Sequence, residues 1–243
     1  TDAKLYAIIN APVLGRFFTL NMSRRQTNNR SNAEDSDVNL EDSINECVRF
    51  IICREGNKIP IKRAEILKHL STVCQTPSNK INTVIVEANK LLKRVYGYKL
   101  VQVEAKSSIQ YIVVLAEPCD SLQSSVVDTH QRQLLMAALT HIFMSGAAVK
   151  DDDMWKFLAE ANLMNENDHT IRKILTTTFT RQMYLNYTKV GEGKLARNVF
   201  EWGQRALEEV PKLFLLQKVA DAFEKTPEHW CEQYKEATAL EQS

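Results

Sequence analysis

Five histidines (His69, His130, His141, His169, His229) and five cysteines (Cys47, Cys53, Cys74, Cys119, Cys231) are the side chains on which metal or nucleophilic chemistry would have to rest. None stands in C-x-x-C, H-x-x-x-H or H-E-x-x-H spacing, so metal binding is unsupported. An odd cysteine number without a framework pattern points to reduced, mostly buried thiols. The chain contains neither a G-x-S-x-G nucleophile turn nor a G-x-x-x-x-G-K-[ST] phosphate loop. "GEGK" (Gly191–Lys194) carries half of such a loop, but it lies between two alternating runs, where a hairpin turn is expected. No paired carboxylates sit among apolar residues. The residues offer catalysis little, and no cofactor is expected.

Charge is more informative. The net charge of +1 averages two unlike halves. Glu46–Glu117 holds 12 lysines and arginines against 6 acids, whereas Val127–Ser243 holds 14 against 17. A basic first half suits an anionic partner such as nucleic acid, because Lys and Arg neutralise phosphates without reading sequence. The candidates there are Lys58, Lys62, Arg63, Lys68, Lys90, Lys93 and Arg94. In the second half they are Arg172, Lys173, Arg181, Lys189, Lys194 and Arg197. The second half's acids cluster at Asp151–Asp153, away in sequence from those bases. Nothing resembles a base-reading Asn/Arg/Gln cluster, so binding to duplex DNA would be sequence-independent. No run approaches the ~18 apolar residues of a membrane span.

The elements that would position these groups are legible from periodicity. "LYAIINAPVLGRFFTL" reads as a weak helix or tail, and the polar Asn21–Asn39 stretch as a linker, giving a tail over 1–39. "NLEDSINECVRFIIC" has apolar residues at three- and four-residue steps and is capped by Asn39 or Asp42. "KIPI" reads as a short edge strand and "KRAEILKHL" as a second helix. "NKINTVIVEANKLLKRVYG" reads as a third, burying Ile81, Val84, Ile85, Ala88, Leu91, Leu92 and Val95 and stopping at Gly97. "YKLVQVEA" and "IQYIVVLAE" alternate with period two and form a hairpin. Helix, short strand, helix, helix and hairpin is the order of a winged helix-turn-helix, expected over 40–118.

After a linker at 119–126 the plan repeats over 127–243. "DTHQRQLLMAALTHIFMSG", "AAVK", "DDDMWKFLAEAN" and "DHTIRKILTTTFTRQM" supply the helices and strand. "YLNYTKV" and "KLARNVFEW" supply the second hairpin. Two closing helices follow, "VPKLFLLQKVADAFEK" and "PEHWCEQYKEATAL", the latter with Pro227 in its first turn. The fold class is therefore mainly α with small antiparallel hairpins, a tandem winged helix. Trp155, Trp202 and Trp230 read as packing residues.

"CVRFIICREGNKIPIKRAEILKHL" (Cys47–Leu70), "VYGYKLVQVE" (Val95–Glu104), "THIFMSG" (Thr140–Gly146), "VFEWGQRALEE" (Val199–Glu209) and "PEHWCEQYKEA" (Pro227–Ala237) together resemble the MAGE (melanoma-antigen) homology domain. They are most similar to the MAGE-type subunits of the SMC five/six complex. The resemblance implies a non-catalytic subunit that regulates a RING-type ubiquitin ligase. Such a subunit lies between the ligase and a kleisin on an SMC five/six core, binds double-stranded DNA, and is nuclear and chromatin-associated, with a cytoplasmic pool as a further option. It implies no membrane contact.

The family's paired leucines, used against the RING partner, correspond to Ile51 and Ile52. Adjacent helical residues point about 100° apart, so one of the two packs inward and the other is left for a partner or for the other half of the chain. The resemblance places the kleisin on the last long helix. There Leu213, Leu216, Val219, Ala220 and Phe223 share one face while Phe214 and Leu215 lie off it, making the helix apolar on more than one side. A substrate-recruiting MAGE protein acting away from chromatin and a stand-alone winged-helix transcription factor are the alternative readings.

Overall fold

The structure is a computed structural model that describes residues 34–105, 108–117, 129–146, 148–165, 168–193 and 196–239. The chain divides into two compact units with the boundary after Glu117.

In the first unit, α1 (Glu34–Glu55) turns Ser43, Cys47, Val48 and Ile51 inward at the three- and four-residue steps of one helical face. A two-residue strand, β1 (Ile61–Lys62), buries Ile61 and exposes Lys62. The extended backbone of Lys62 lets α2 (Arg63–Val73) begin at once, without a capping side chain. Ile66 and Leu70 of α2 join the core, and the buried hydroxyls of Ser43 and Thr76 satisfy one another at 2.8 Å. Helix α3 (Ile81–Leu91) buries Ile81, Val84, Ile85 and Ala88, then widens into a π turn at Leu92–Tyr96. Gly97 ends it in the left-handed region (φ 68°), where a side chain is disfavoured. Strands β2 (Tyr98–Ala105) and β3 (Ser108–Leu115) pair antiparallel, and β1 adds to β3 through Ile61 opposite Tyr111, giving the order β1-β3-β2.

The second unit repeats this order. Helix α4 (Thr129–Ser145) is its centre, burying Leu134, Leu135, Ala137, Ala138, Leu139, Ile142 and Phe143 on more than one side. Gly146 (φ 70°) stops it. Strand β4 (Val149–Lys150) again has an inward aliphatic residue and an outward lysine, and α5 (Asp151–Glu160) follows directly. Asp168 caps the next helix by accepting hydrogen bonds from the Thr170 and Ile171 amides, both at 3.0 Å. That helix, α6, runs through His169–Lys173, a π turn at Ile174–Thr178 and a final turn at Phe179–Arg181. Ile171, Leu175 and Phe179 face inward at four-residue steps. Strands β5 (Leu185–Val190) and β6 (Arg197–Trp202) form the hairpin, and β4 joins it in the order β4-β6-β5. Helices α7 (Gln204–Glu209), α8 (Lys212–Phe223) and α9 (Cys231–Ala239) close the unit.

The sequence-based expectations need correction at several places. Helix α1 begins at Glu34, so Asn39 and Asp42 lie inside it rather than capping it, and the linker expected to Asn39 ends earlier. The "KIPI" strand shrinks to Ile61–Lys62 because Lys58 is left-handed (φ 55°), and Ile59 is 44% exposed. "AAVK" shrinks likewise to its last two residues. Val95 is 50% exposed rather than buried, because the π turn winds wider than an α turn and carries it off the inward face. Pro227 opens a separate 3₁₀ turn (Pro227–His229) rather than the last helix. Helix α7 was not expected. Residues 1–33, with the "LYAIINAPVLGRFFTL" reading, and Cys119 lie outside the described residues.

Candidate partner and nucleic-acid surfaces

On α1, Ile51 is fully buried and its neighbour Ile52 is half-buried at the edge of the same core. The 100° step between adjacent residues places Ile52 on the flank of the helix, beside exposed Glu41, Asn45 and Arg49. Continuing round the outer face from Arg49 lies a charged and aromatic cluster. Arg49 donates to both Glu46 oxygens at 2.8 Å, His69 Nε2 lies 2.6 Å from Glu46 Oε1, and the imidazole stacks on Phe50 at 4.3 Å. The Arg49 hydrogen bond, with smaller help from His69 and against the effect of burial, holds the Glu46 carboxyl below its ordinary range.

On α8 the buried stripe is Leu215, Leu216, Val219 and Ala220. This corrects the inward face expected to run from Leu213 to Phe223. Leu215 belongs to the core, Leu213 and Phe214 are half-buried, and Phe223 is 37% exposed. The shift has a physical cause. Helix α9 packs against α8 as well, anchored by buried Ala237 and by an ion pair between Lys212 and Glu236. A helix covered from two sides has a wide buried face. The Lys212 ammonium also lies 5.1 Å from the Trp202 ring centroid and 5.7 Å from that of Phe143.

The basic candidates divide by what they touch. Lys62 is exposed, whereas Arg63 donates to Asn82 Oδ1 on α3 at 2.8 Å. Lys58 is paired with Glu55, and Lys90 with Glu87 at 2.7 Å. Lys68, Lys93 and Arg94 are exposed. In the second unit the Arg172 guanidinium sits 5.2 Å over the Trp155 ring, seating α6 on α5. Lys173, Thr177 and Arg181 are exposed at four-residue steps, in phase with the π turn. No acidic residue occurs between His169 and Gly191. Lys189 and Arg197 are exposed on the hairpin, and Lys194 lies outside the described residues.

The acids at Asp151–Asp153 are far in sequence from the hairpin bases, yet Asp151 meets the hairpin in space. Asp151 Oδ2 accepts from Tyr187 Oη at 3.0 Å and from Asn198 Nδ2 at 3.2 Å, both on the hairpin.

A second arrangement went unseen in the sequence. Arg205 is 1% exposed, and it donates from Nε to the Gln182 carbonyl at 2.8 Å and from Nη1 to Glu209 Oε1 at 3.0 Å. Tyr184 Oη donates to the other Glu209 oxygen at 2.5 Å. A buried ion pair is tolerable only when its remaining donors and acceptors are met in this way. Next to it, a Cβ on Gly203 would come within 2.2 Å of the Met183 carbonyl oxygen, so only glycine fits where β6 leaves the hairpin. The i,i+4 spacing of Arg205 and Glu209 inside "WGQRALEE" was the available signal.

Among the described residues no His/Cys/Asp/Glu group could hold a metal ion, and no helix is long and apolar enough to cross a membrane. The MAGE homology domain profile matches residues 47–213. The human "Non-structural maintenance of chromosomes element 3 homolog" is 34% identical over 214 residues, covering 86% of this chain and 69% of that protein. Its mouse counterpart is 33% identical over 210 residues, covering 84% and 74%. Among solved structures, a chain of an "Nse1-Nse3-Nse4 complex" superposes with a TM-score of 0.70 at 30% identity, covering 82% of this chain and 97% of its own length.

Proposed function

The chain belongs to the MAGE homology domain family, and from that premise we propose that it is a non-catalytic adaptor subunit of an SMC five/six-type chromosome-maintenance complex. The observation that carries this reading is the pairing of 34% identity through both units to a relative named for chromosome maintenance with a structural neighbour taken from a three-part assembly. Its role toward a RING-type ubiquitin ligase is positional. It holds the ligase subunit on one unit and a kleisin on the other, on an SMC core in the nucleus.

Ile52 is the contact residue for the RING subunit, with Ile51 supporting it from the core. Burying the remainder of one isoleucine contributes about 1–2 kcal/mol, so Ile52 serves as one anchor among several. The kleisin lies along the exposed margin of α8, where Leu213, Phe214 and Phe223 remain available. Leu215, Leu216 and Val219 shape that margin from beneath. Duplex DNA is held through phosphates by Lys173, Arg181, Lys189, Lys194 and Arg197 in the second unit and by Lys62 in the first. Arg172 and Arg63 brace the helices that carry these groups. Affinity purification of the tagged chain from cells tests the reading: a RING subunit and a kleisin should be recovered together. Recovery of neither, with transcription machinery or cytoplasmic ligase substrates in their place, would reject it.

A further inference from the structure

Besides strand pairing and buried apolar residues, one carboxylate ties both strands of the second hairpin to the start of α5. Tyr187 on β5 and Asn198 on β6 both donate to Asp151 Oδ2, while Oδ1 accepts the Asp152 amide at 3.0 Å. These two donors bracket the hairpin's bases. Tyr187 stands two residues before Lys189, and Asn198 adjoins Arg197. Across the ladder Lys189 faces Asn198 and Val190 faces Arg197. Beyond Tyr187, which packs its ring on Phe200 at 4.7 Å, the rest of β5 (Thr188, Lys189, Val190) is exposed and has no apolar anchor. The first unit does this differently. There the residue after the short strand is Arg63, bonded to α3, and β3 of the hairpin buries Tyr111, Ile112, Val113 and Val114.

We propose that Asp151 is a positioning residue for DNA binding: by clamping both strands of the hairpin it holds Lys189 and Arg197 at fixed spacing toward the phosphate backbone. The inference rests on the duplex-binding reading above. It also runs against simple electrostatics, which would have an aspartate beside the DNA contact weaken binding. The clamp persists at any pH suited to binding, because burial and then the Asp151 hydrogen bond push the Tyr187 phenol up to about 12.

The test uses the full chain and a short duplex of arbitrary sequence, measured over a range of salt, with amide exchange of β5 and β6 as a second readout. Asp151→Ala and Tyr187→Phe should accelerate hairpin exchange and lower affinity about three- to tenfold, as expected from losing one or two phosphate contacts. The salt slope should shrink by about one to two. Asp151→Asn keeps an oxygen acceptor and should preserve both exchange protection and affinity. Asp152→Asn removes the same charge without touching the hairpin and should bind slightly tighter. If Asp151→Ala binds as tightly as Asp152→Asn, or leaves hairpin exchange unchanged, while Lys189→Glu with Arg197→Glu abolishes binding, the clamp is overturned alone. If that double charge reversal binds as well as the unaltered chain, the DNA reading falls and the inference with it.

Discussion

The two units share an architecture down to single positions, yet they are fastened by different chemistry. After the short strand, Ile61, Ile66 and Leu70 of the first unit match Val149, Met154 and Leu158 of the second at identical spacing, and all six are buried. His69 and Phe157 both lie eight residues past the inward strand residue. Each stacks on a ring from its unit's first helix, but the partners are exchanged: His69 on Phe50 at 4.3 Å, Phe157 on His141 at 4.0 Å. The apolar spacing is the part of the plan that the fold demands. The polar contacts around it are free to differ. In the first unit the charged contacts flank the core, as the Glu46 cluster does, and the buried pair, Ser43–Thr76, is neutral. In the second they are turned inward, as with Arg205–Glu209–Tyr184 and Asp151.

The largest expected effect follows from that inversion. Arg205→Ala leaves Glu209 buried without its cation and should cost about 3–5 kcal/mol. All three tryptophans lie in the second unit, so their fluorescence in a denaturant titration reports its unfolding, while amide exchange in α1 and α3 should stay as before. Equal loss in both units would mean that the two are not fastened separately.

Ile51→Ala should come next, at about 2–4 kcal/mol for a large-to-small change in a packed core, with the second unit's fluorescence transition unmoved. Ile52→Ala should cost less than half as much in the same exchange measurement. Ile52→Asp should leave the fold intact and abolish co-purification of a RING subunit. A folded Ile52→Asp chain that still recovers its partner would place that contact elsewhere.

The exchanged stacks predict losses of stability on acidification in different pH windows. Burial holds the His141 imidazole below its ordinary value, outweighing the nearby Asp153. Since the unfolded chain takes up that proton more readily, the second unit's stability is complete above about pH 6.5 and declines as pH falls through that value. Glu46 is lowered as well, but from the carboxylate range. Its lowered carboxyl stabilises the first unit above the ordinary glutamate range and loses that contribution only as pH drops through the lowered folded value. Tryptophan-monitored unfolding between pH 7 and pH 5 should therefore weaken, and His141→Gln should flatten the response. The smallest effect is on affinity. Charge reversal at Lys173 and Arg181 should reduce the salt slope of duplex binding by about two, one for each phosphate contact. An unchanged slope would take α6 out of the contact and leave it to the hairpin or to the first unit.

Much of the architecture was legible because it depends on spacing along the chain. The period-two run Tyr98–Ala105 became β2 residue for residue, and Gly97 and Gly146 end their helices in the left-handed region. What stayed hidden depends on register between segments. Asp151 reaches Tyr187 and Asn198 only once β4, β6 and β5 are aligned, and Arg205 reaches the Gln182 carbonyl only after the chain has turned back through the hairpin. Helix α7 was missed because six residues are too few for a helical period to show. Of the contact surfaces, the chain's pattern required one of Ile51 and Ile52 to face inward without saying which (the structure gives Ile51). On α8 it misjudged the face, since α9 covers a flank that the pattern of α8 alone could not reveal.

The close approach of Gly203 to Met183 has a consequence for how this molecule can be altered. Main chain touches main chain at the foot of the second hairpin, where the Gly203 amide also donates to the Tyr184 carbonyl at 2.8 Å and closes the two strands without help from the turn's side chains. Residues grafted into the turn between Val190 and Arg197 would add a cost that grows only logarithmically with their number, about 0.6 kcal/mol for each doubling. The three helices downstream would not register the insertion, and reporter peptides or recognition loops can be carried there.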